Sequence, residues 1–411
     1  MLTRHRFAVV AAVSLVMHGV ARDVVQAQEG PQLYGYFATR LEKTFRKPVN
    51  DNGQLAREAL PQEWSQPFFN IMMQHQFDPK FKAFVNLNGA GAAEIDVRNL
   101  WGEYSRSNAF NVRVGKIYRK FGLYNEVLDA VPTYYGIEPP EAFDADHLLI
   151  SRTTNLMVYG NVRAGGGRLN YAVSTDNGEG RDIEGNLPLG YDVNYNFGRG
   201  SYTLGVSGYL SNGATNGDRP VGEGSPRSGV LPWMARDSFS VINFYGEART
   251  GAFTFQAEWA QADHQAERDA EAVLQVVEGG ALNPRQRARF LRNASAPATL
   301  ANVNTNGDHR IELWYVRMGW SRETMRGEVG PYVQFDSYSN PETVGPKRVG
   351  GDAEAGNTDD GRFTKFTAGV LYRPVPQVAV KVDGSLFRYR FLGQRVAYPE
   401  LRFDISYAFG L

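Results

Sequence analysis

From residue 28 onward the chain runs in segments of roughly ten residues in which apolar and polar side chains alternate, each closed by a turn signal, the period of a β-strand with two unlike faces. The stretch 401–411 shows it most plainly: Leu401, Phe403, Ile405, Tyr407, Phe409 and Leu411 take the odd positions, and every even position is polar or small. Phe253, Phe255, Ala257 and Trp259 alternate likewise with Thr254, Gln256 and Glu258, and Phe110, Val112 and Val114 with Asn111, Arg113 and Gly115. One face of each such strand is built to meet an apolar surrounding.

Turn signals between the segments predict about sixteen strands, over 32–44, 67–77, 80–89, 94–105, 109–118, 154–163, 168–175, 190–197, 201–211, 237–248, 252–262, 309–320, 327–337, 363–373, 377–391 and 397–411. A length of roughly 9–11 residues suits a tilted strand crossing a bilayer. Short connections at 78–79, 165–167, 198–200, 249–251 and 374–376 take turns with long ones near 45–66, 119–153, 212–236, 263–308 and 338–362. The pattern predicts an all-β, transmembrane antiparallel β-barrel with short turns below and long loops above. Its apolar faces meet lipid, closure removes the edge strands, and the polar faces line a water-filled lumen. A soluble sandwich also alternates, but its strands are shorter, and this many would need two or more cores. An even strand count puts both chain ends on the short-turn side.

Residues 1–27 change the picture at the N-terminus. A basic start (Arg4, Arg6), an apolar run from Phe7 to Met17 and a small-residue end at Val25 to Ala27 make up a secretory signal peptide, expected to be cut after Ala27. The barrel is then 28–411. Lys+Arg 44 against Asp+Glu 44 gives no bulk basic field for nucleic acid, and Cys 0 removes disulfides, thiolate metal sites and cysteine nucleophiles. No stretch of about 18 apolar residues is present, so a helical membrane protein is excluded.

Alternation also names the polar face. Arg113, Arg163, Arg168, Arg317, Lys365, Arg373, Lys381 and Arg402 are its basic lumen candidates, with Glu258, Glu328, Asp336, Asp383 and Asp404 as acidic ones. Facing is ambiguous in strands 32–44, 94–105 and 237–248, which leaves Arg40 and Arg98 unassigned. The loop 119–153 is acidic, with Glu126, Asp129, Glu138, Glu141, Asp144 and Asp146 against Arg119, Lys120 and Arg152, and Pro132, Pro139 and Pro140 stiffen it. In 263–308, Ala270, Val273, Leu274 and Val277 share a helical face that stops at Gly279 and Gly280, and Asn283-Pro284 caps a second short helix. Its Arg285, Arg287, Arg289 and Arg292 either gather anions at a pore mouth or cover a solvated helix.

These features resemble the Gram-negative outer-membrane porins, in particular the superfamily of the phosphate-selective porins O and P. The resemblance is carried by residues 113–126, where a strand ending in Val114-Gly115-Lys116 runs into Phe121-Gly122 before a long loop, and by the aromatic alternation of the last strand. It implies a homotrimer in the outer membrane of a Gram-negative bacterium, admitting small hydrophilic solutes by passive diffusion, with anions one option. It implies that loop 119–153 folds inward as the constriction, its acids facing the basic wall and setting a field across the pore. It also implies a final strand read by the barrel-assembly machinery, in weakened form here because Leu411 follows Phe409.

Catalytic and cofactor chemistry is not written in the chain. His75, His147, His264 and His309 are scattered, and neither a nucleophile elbow nor a phosphate loop occurs. The run 302–307 resembles a calcium loop, but Leu313 stands where the bidentate acid is required. No enzyme, cofactor or metal is expected. A barrel enzyme would need a Ser and His on adjacent outward faces, and a barrel sheathing a partner protein would have a plugged lumen.

Overall fold

The computed structural model describes residues 30–48, 62–65, 67–90, 94–144, 147, 153–176, 187–211, 230–279, 282–346 and 349–410, so the expected signal peptide lies outside the described residues. The strands are β1 (Gln32–Thr44), β2 (Gln62–Trp64), β3 (Phe68–Gln76), β4 (Phe81–Ala90), β5 (Glu94–Ser107), β6 (Phe110–Tyr118), β7 (Thr153–Ala164), β8 (Gly167–Thr175) and β9 (Leu189–Phe197). They continue as β10 (Tyr202–Leu210), β11 (Met234–Thr250), β12 (Phe253–Arg268), β13 (His309–Trp320), β14 (Arg322–Thr324), β15 (Gly327–Ser339), β16 (Arg362–Val375), β17 (Val378–Phe391) and β18 (Gln394–Phe409). Every neighbour pair is antiparallel, and β1 closes the ring by pairing with β18 on one side (Gly35 opposite Phe409) and β3 on the other (Tyr36 opposite Asn70). The stubs β2 and β14 extend the paths of β3 and β13 along β1 and β15, which leaves a closed barrel of sixteen full strands. Closure satisfies the backbone donors and acceptors of every strand, the condition for a sheet in hydrocarbon.

Side-chain burial follows the expected parity. On β18 Arg402, Asp404 and Ser406 are buried inside, while Leu401 and Tyr407 are exposed outside. The outer surface carries Phe37, Leu100, Val114, Phe244, Trp314, Val333, Phe366 and Val382, an apolar coat that calls for a lipid surrounding.

Three strands resisted assignment from sequence for local reasons. In β5 the register steps from Asn86 opposite Asn99 to Leu87 opposite Val97, so Arg98 is the extra residue of a bulge and the parity flips there. On β1 the inward face is itself apolar, with Tyr36 and Ala38 buried, and Arg40 falls on that face. On β11 Phe239 and Val241 point inward while Ser238 and Ser240 face outward, the reverse of the usual contrast. The expected end of β12 at 262 also falls short, because its outward residues Gln265 and Glu267 are polar and the hydrophobic contrast fades although pairing continues.

Long-loop segments pack over one end as a compact cap. The helices α1 (Ala270–Gly279) and α2 (Pro284–Phe290) stand where the sequence places them. The Asn283 side chain accepts from Arg285 N and Gln286 N, and the Gln286 side chain accepts from Asn283 N in return. Val273, Val277, Phe290 and Trp233 form the apolar interior of the cap, and Arg268 and Trp233 both donate to Glu342. Of the α2 arginines, Arg287 donates to Ala294 O and Ala296 O, while Arg285 lies 3.7 Å from Asp359 with most of its side chain exposed.

Candidate functional site

Residues 119–144 leave the top of β6 and cross the barrel interior. Arg119 anchors the entry, buried against Asp176 with its guanidinium 4.4 Å from the Tyr209 ring centre. Gly122 holds φ +60, and a Cβ there would strike Glu258. This close passage lets Gly122 N donate to Ser207 Oγ and Leu123 N to Glu258 Oε1. Tyr124 OH donates to Gln256 and accepts from Arg317. The segment then meets the opposite wall: Lys381 Nζ donates to Val131 O and Gly136 O, and Arg373 to Pro132 O while also pairing with Glu328 at 2.6 Å. Tyr135 lies flat against Gly319 and Gly330, where side chains would exclude it. Asn70 and Asn86 both donate to Asp129, and Ile137 N donates to Asp383.

Its far end is fastened by charge. Glu138 lies 2.8 Å from Arg402, 3.3 Å from Lys365 and 3.4 Å from Arg40. Glu141 pairs with Lys365 at 2.5 Å, its backbone N donates to Asp336, and its other oxygen lies 3.0 Å from His147 Nε2. His147 Nδ1 meets Asp352 at 2.5 Å, so the imidazole bridges this segment to the cap. Burial alone would raise the Glu138 carboxyl, but Arg402, Lys365 and Arg40 outweigh it and hold it down at about 2. Burial would lower His147, and Asp352 with Glu141 raises it well above its ordinary 6.5. Glu354 beside them is pushed up to about 8 by burial, which Lys47 only partly offsets and Asp352 reinforces.

These contacts run from β10 round to β4; on the inward side of β5 to β9 the segment touches the wall only near its entry, where Arg119 donates to Thr153 O and Glu126 lies 3.9 Å from Arg113. On that side Lys82 lies 2.8 Å from Glu103, Arg113 pairs with the same carboxylate, and Lys120 lies 2.8 Å from Glu126. The Arg113 guanidinium sits between two rings, 4.3 Å from Trp101 and 4.7 Å from Tyr159. Three cations thus share two carboxylates, and Lys82, Arg113 and Lys120 keep 25%, 17% and 26% of their side chains exposed. Toward the short-turn end Arg163 and Arg168 face each other across β7 and β8, on the same face as Met157 and Tyr159, and are exposed.

The charges named from sequence therefore divide into two sets. Arg317, Lys365, Arg373, Lys381 and Arg402 hold the middle and far end of the crossing segment, whereas Arg113, Arg163 and Arg168 are on the other side, Arg113 reaching only Glu126 near the segment's entry. The expected separation of an acidic loop from a basic wall does not describe Glu138 and Glu141, which touch their cations directly: the segment is long enough to cross the lumen and lie on that wall instead of facing it. Glu126 alone of the described acids reaches the open side, and Asp144 lies near the bridge to the cap; Asp146 is outside the described residues. Lys82 and Glu103 were missed. Lys82 lies near the start of a strand whose even positions, with Phe84 and Asn86, were available as a signal; Glu103 was hidden by the bulge at Arg98.

Neither the protein-family models nor the curated proteins give a match to this chain. Solved structures do. The outer-membrane channel DcaP of Acinetobacter baumannii superposes with a TM-score of 0.55 at 11% identity, covering 94% of this chain and 100% of the other. The anion-selective porin from Comamonas acidovorans gives 0.56 at 11% identity, with 92% and 99% covered. OmpF of Salmonella typhi, solved with daunomycin, gives 0.51 at 12%, with 92% and 97% covered. At these identities the likeness is one of fold: the chain has the sixteen-stranded barrel architecture of outer-membrane porins.

Proposed function

We propose that this protein is a passive diffusion channel of the Gram-negative outer membrane, admitting small hydrophilic solutes with a preference for anions. The observation that carries this reading is the partly exposed cluster of Lys82 and Arg113 on the wall with Lys120 at the start of the crossing segment, set against Glu103 and Glu126 on the β5 to β7 side of the lumen. A solute passing there meets more positive than negative charge, in a low-dielectric wall where such an excess is felt strongly. Arg163 and Arg168 extend the cationic track toward the short-turn end. Segment 119–153 is the constriction in this reading, residues 1–27 direct export, and the aromatic last strand is what the barrel-assembly machinery reads. The outer surface meets lipid and, as the fold suggests, other copies in a homotrimer.

Reversal potential across a KCl gradient, measured on the refolded protein in a planar bilayer, tests the reading. Anion preference is expected, shifting toward cations in Lys82→Glu/Lys120→Glu, which leaves the Arg113 to Glu103 pair in place. A verified barrel that passes no current overturns the channel, and cation preference in the unaltered protein overturns the selectivity.

A further inference from the structure

The outward face carries a dense cationic patch at its long-loop end. Arg362 on β16, Arg388 and Arg390 on β17 and Arg395 on β18 are all exposed, while the intervening Phe363, Phe387, Tyr389 and Tyr398 are buried inside. Register gathers the four: Arg390 lies directly opposite Arg395, Arg388 is opposite both Thr364 and Ala397, and Arg362 stands two residues from Thr364 on the same face. With Trp259 and Trp314 they line a groove of about 680 Å³. Arg362 donates to Ser339 Oγ at 3.1 Å. Among the described residues Arg388, Arg390 and Arg395 have no carboxylate within ion-pair distance, and only Asp360 and Glu312 bring negative charge to the groove. Like charges directly opposite one another on a sheet repel, so the arrangement calls for an anion from outside the chain.

Depth says which anion. On β17 the outward residues from Val378 to Leu386 are apolar or glycine; eight steps of about 3.3 Å at a tilt of roughly 45° climb about 19 Å, which puts Arg388 at the upper edge of an apolar band about 25 Å tall. Exposed Phe366, Val382 and Leu401 continue that band on all three strands, and the tryptophans beside the groove suit the interface between hydrocarbon and headgroups. A guanidinium fork matches a phosphate in two parallel hydrogen bonds. We propose that this groove docks a membrane lipid with a phosphorylated headgroup, its phosphates held by Arg388, Arg390 and Arg395 and its acyl chains laid on the apolar belt below. The inference needs the barrel in a membrane but not a conducting lumen, and its test reads binding alone.

The test titrates the full chain in detergent micelles with a diphosphorylated glucosamine lipid of the lipid A type and follows retained lipid by native mass spectrometry. In Arg388→Gln/Arg390→Gln/Arg395→Gln the affinity is expected to fall on the order of 100-fold. Arg322→Gln/Arg326→Gln, exposed at the opposite end of the barrel, is expected to bind as the unaltered chain does. Each variant is first shown to be folded by its heat-modifiable gel mobility. Equal retention in the triple variant overturns the proposal and leaves the patch to a protein partner. Equally tight binding of the dephosphorylated lipid overturns it as well, and displacement by an equal concentration of inorganic phosphate reduces the patch to a free-anion site.

Discussion

Glu138 is the residue on which the crossing segment depends most, because three cations from three strands converge on one carboxylate that keeps 26% of its side chain exposed. The cations do not depend on it equally. Lys365 keeps Glu141, Arg402 keeps Glu400 and Glu42, and Arg40 lies 3.9 Å from Asp404. Glu138→Gln should therefore loosen the segment while leaving the wall paired, at a cost to stability of about 1 kcal/mol once its exposure is allowed for. The pH dependence follows from the carboxyl's depression from 4.5 to about 2. A depressed acid contributes stability that is present above its unfolded value and is lost as pH falls through its folded one. Single-channel conductance should thus be steady above about pH 4.5 and rise as the pH is taken toward 2, with that rise absent in Glu138→Gln. A flat conductance over this interval in the unaltered protein would show that the loop is held by other contacts. His147 has the opposite sign: raised above 6.5, its bridge to Asp352 is complete below that value and is lost only as pH rises through the raised one.

At the level of elements, segment 119–144 was legible in its place and composition but not in its posture. Its position between the fifth and sixth long strands and its acids mark it out, and the residues that receive it, Lys365, Lys381, Arg373 and Arg402, were all named from alternation. Alternation gives a face and nothing about distance across the lumen, so acids in contact with cations and acids facing them across water read alike. The aromatic side of the contact was equally silent: Tyr135 needs the two glycines 319 and 330, eleven residues apart on different strands, and only pairing brings them together. Bulges are the other blind spot, since the single extra residue Arg98 reverses every later assignment on β5 and concealed Glu103. Deleting Thr133–Asp144 removes Gly136, Glu138 and Glu141 and with them acceptors of Lys381, Lys365, Arg402 and Arg40. The expected result is a wider pore, read as a conductance several times that of the full chain, with a lower unfolding temperature because Lys365 and Lys381 lose partners in the interior. Unchanged conductance in a correctly folded deletion would remove the segment from any constricting role.

For the molecule as a whole, stability rests on closing a ring, and closure is decided at one seam. Sixteen strands pair in chain order, each formed locally from a hairpin, but β1 and β18 lie at opposite ends of the chain and meet only when the rest is in place. Contacts of such sequence separation carry the loop-closure cost and come late in assembly. Gly35 sits at this seam, opposite Phe409 on one side and Ile71 on the other. A Cβ there would fall 2.1 Å from Asn70 O, a backbone atom that cannot swing away, and 3.0 Å from the Phe409 ring. Gly35→Ala must therefore displace β3 from β1 at the place where the ring closes, and overpacking of this kind costs roughly 1–3 kcal/mol. Gly102→Ala, on β5 with nothing within 4 Å of the added carbon, is the matched control. Refolding yield, read as the compact band on an unheated gel, should fall sharply for Gly35→Ala and stay at the level of the unaltered protein for Gly102→Ala. Equal yields for the two variants would mean that β1 and β18 tolerate misfit and that closure is governed elsewhere in the sheet.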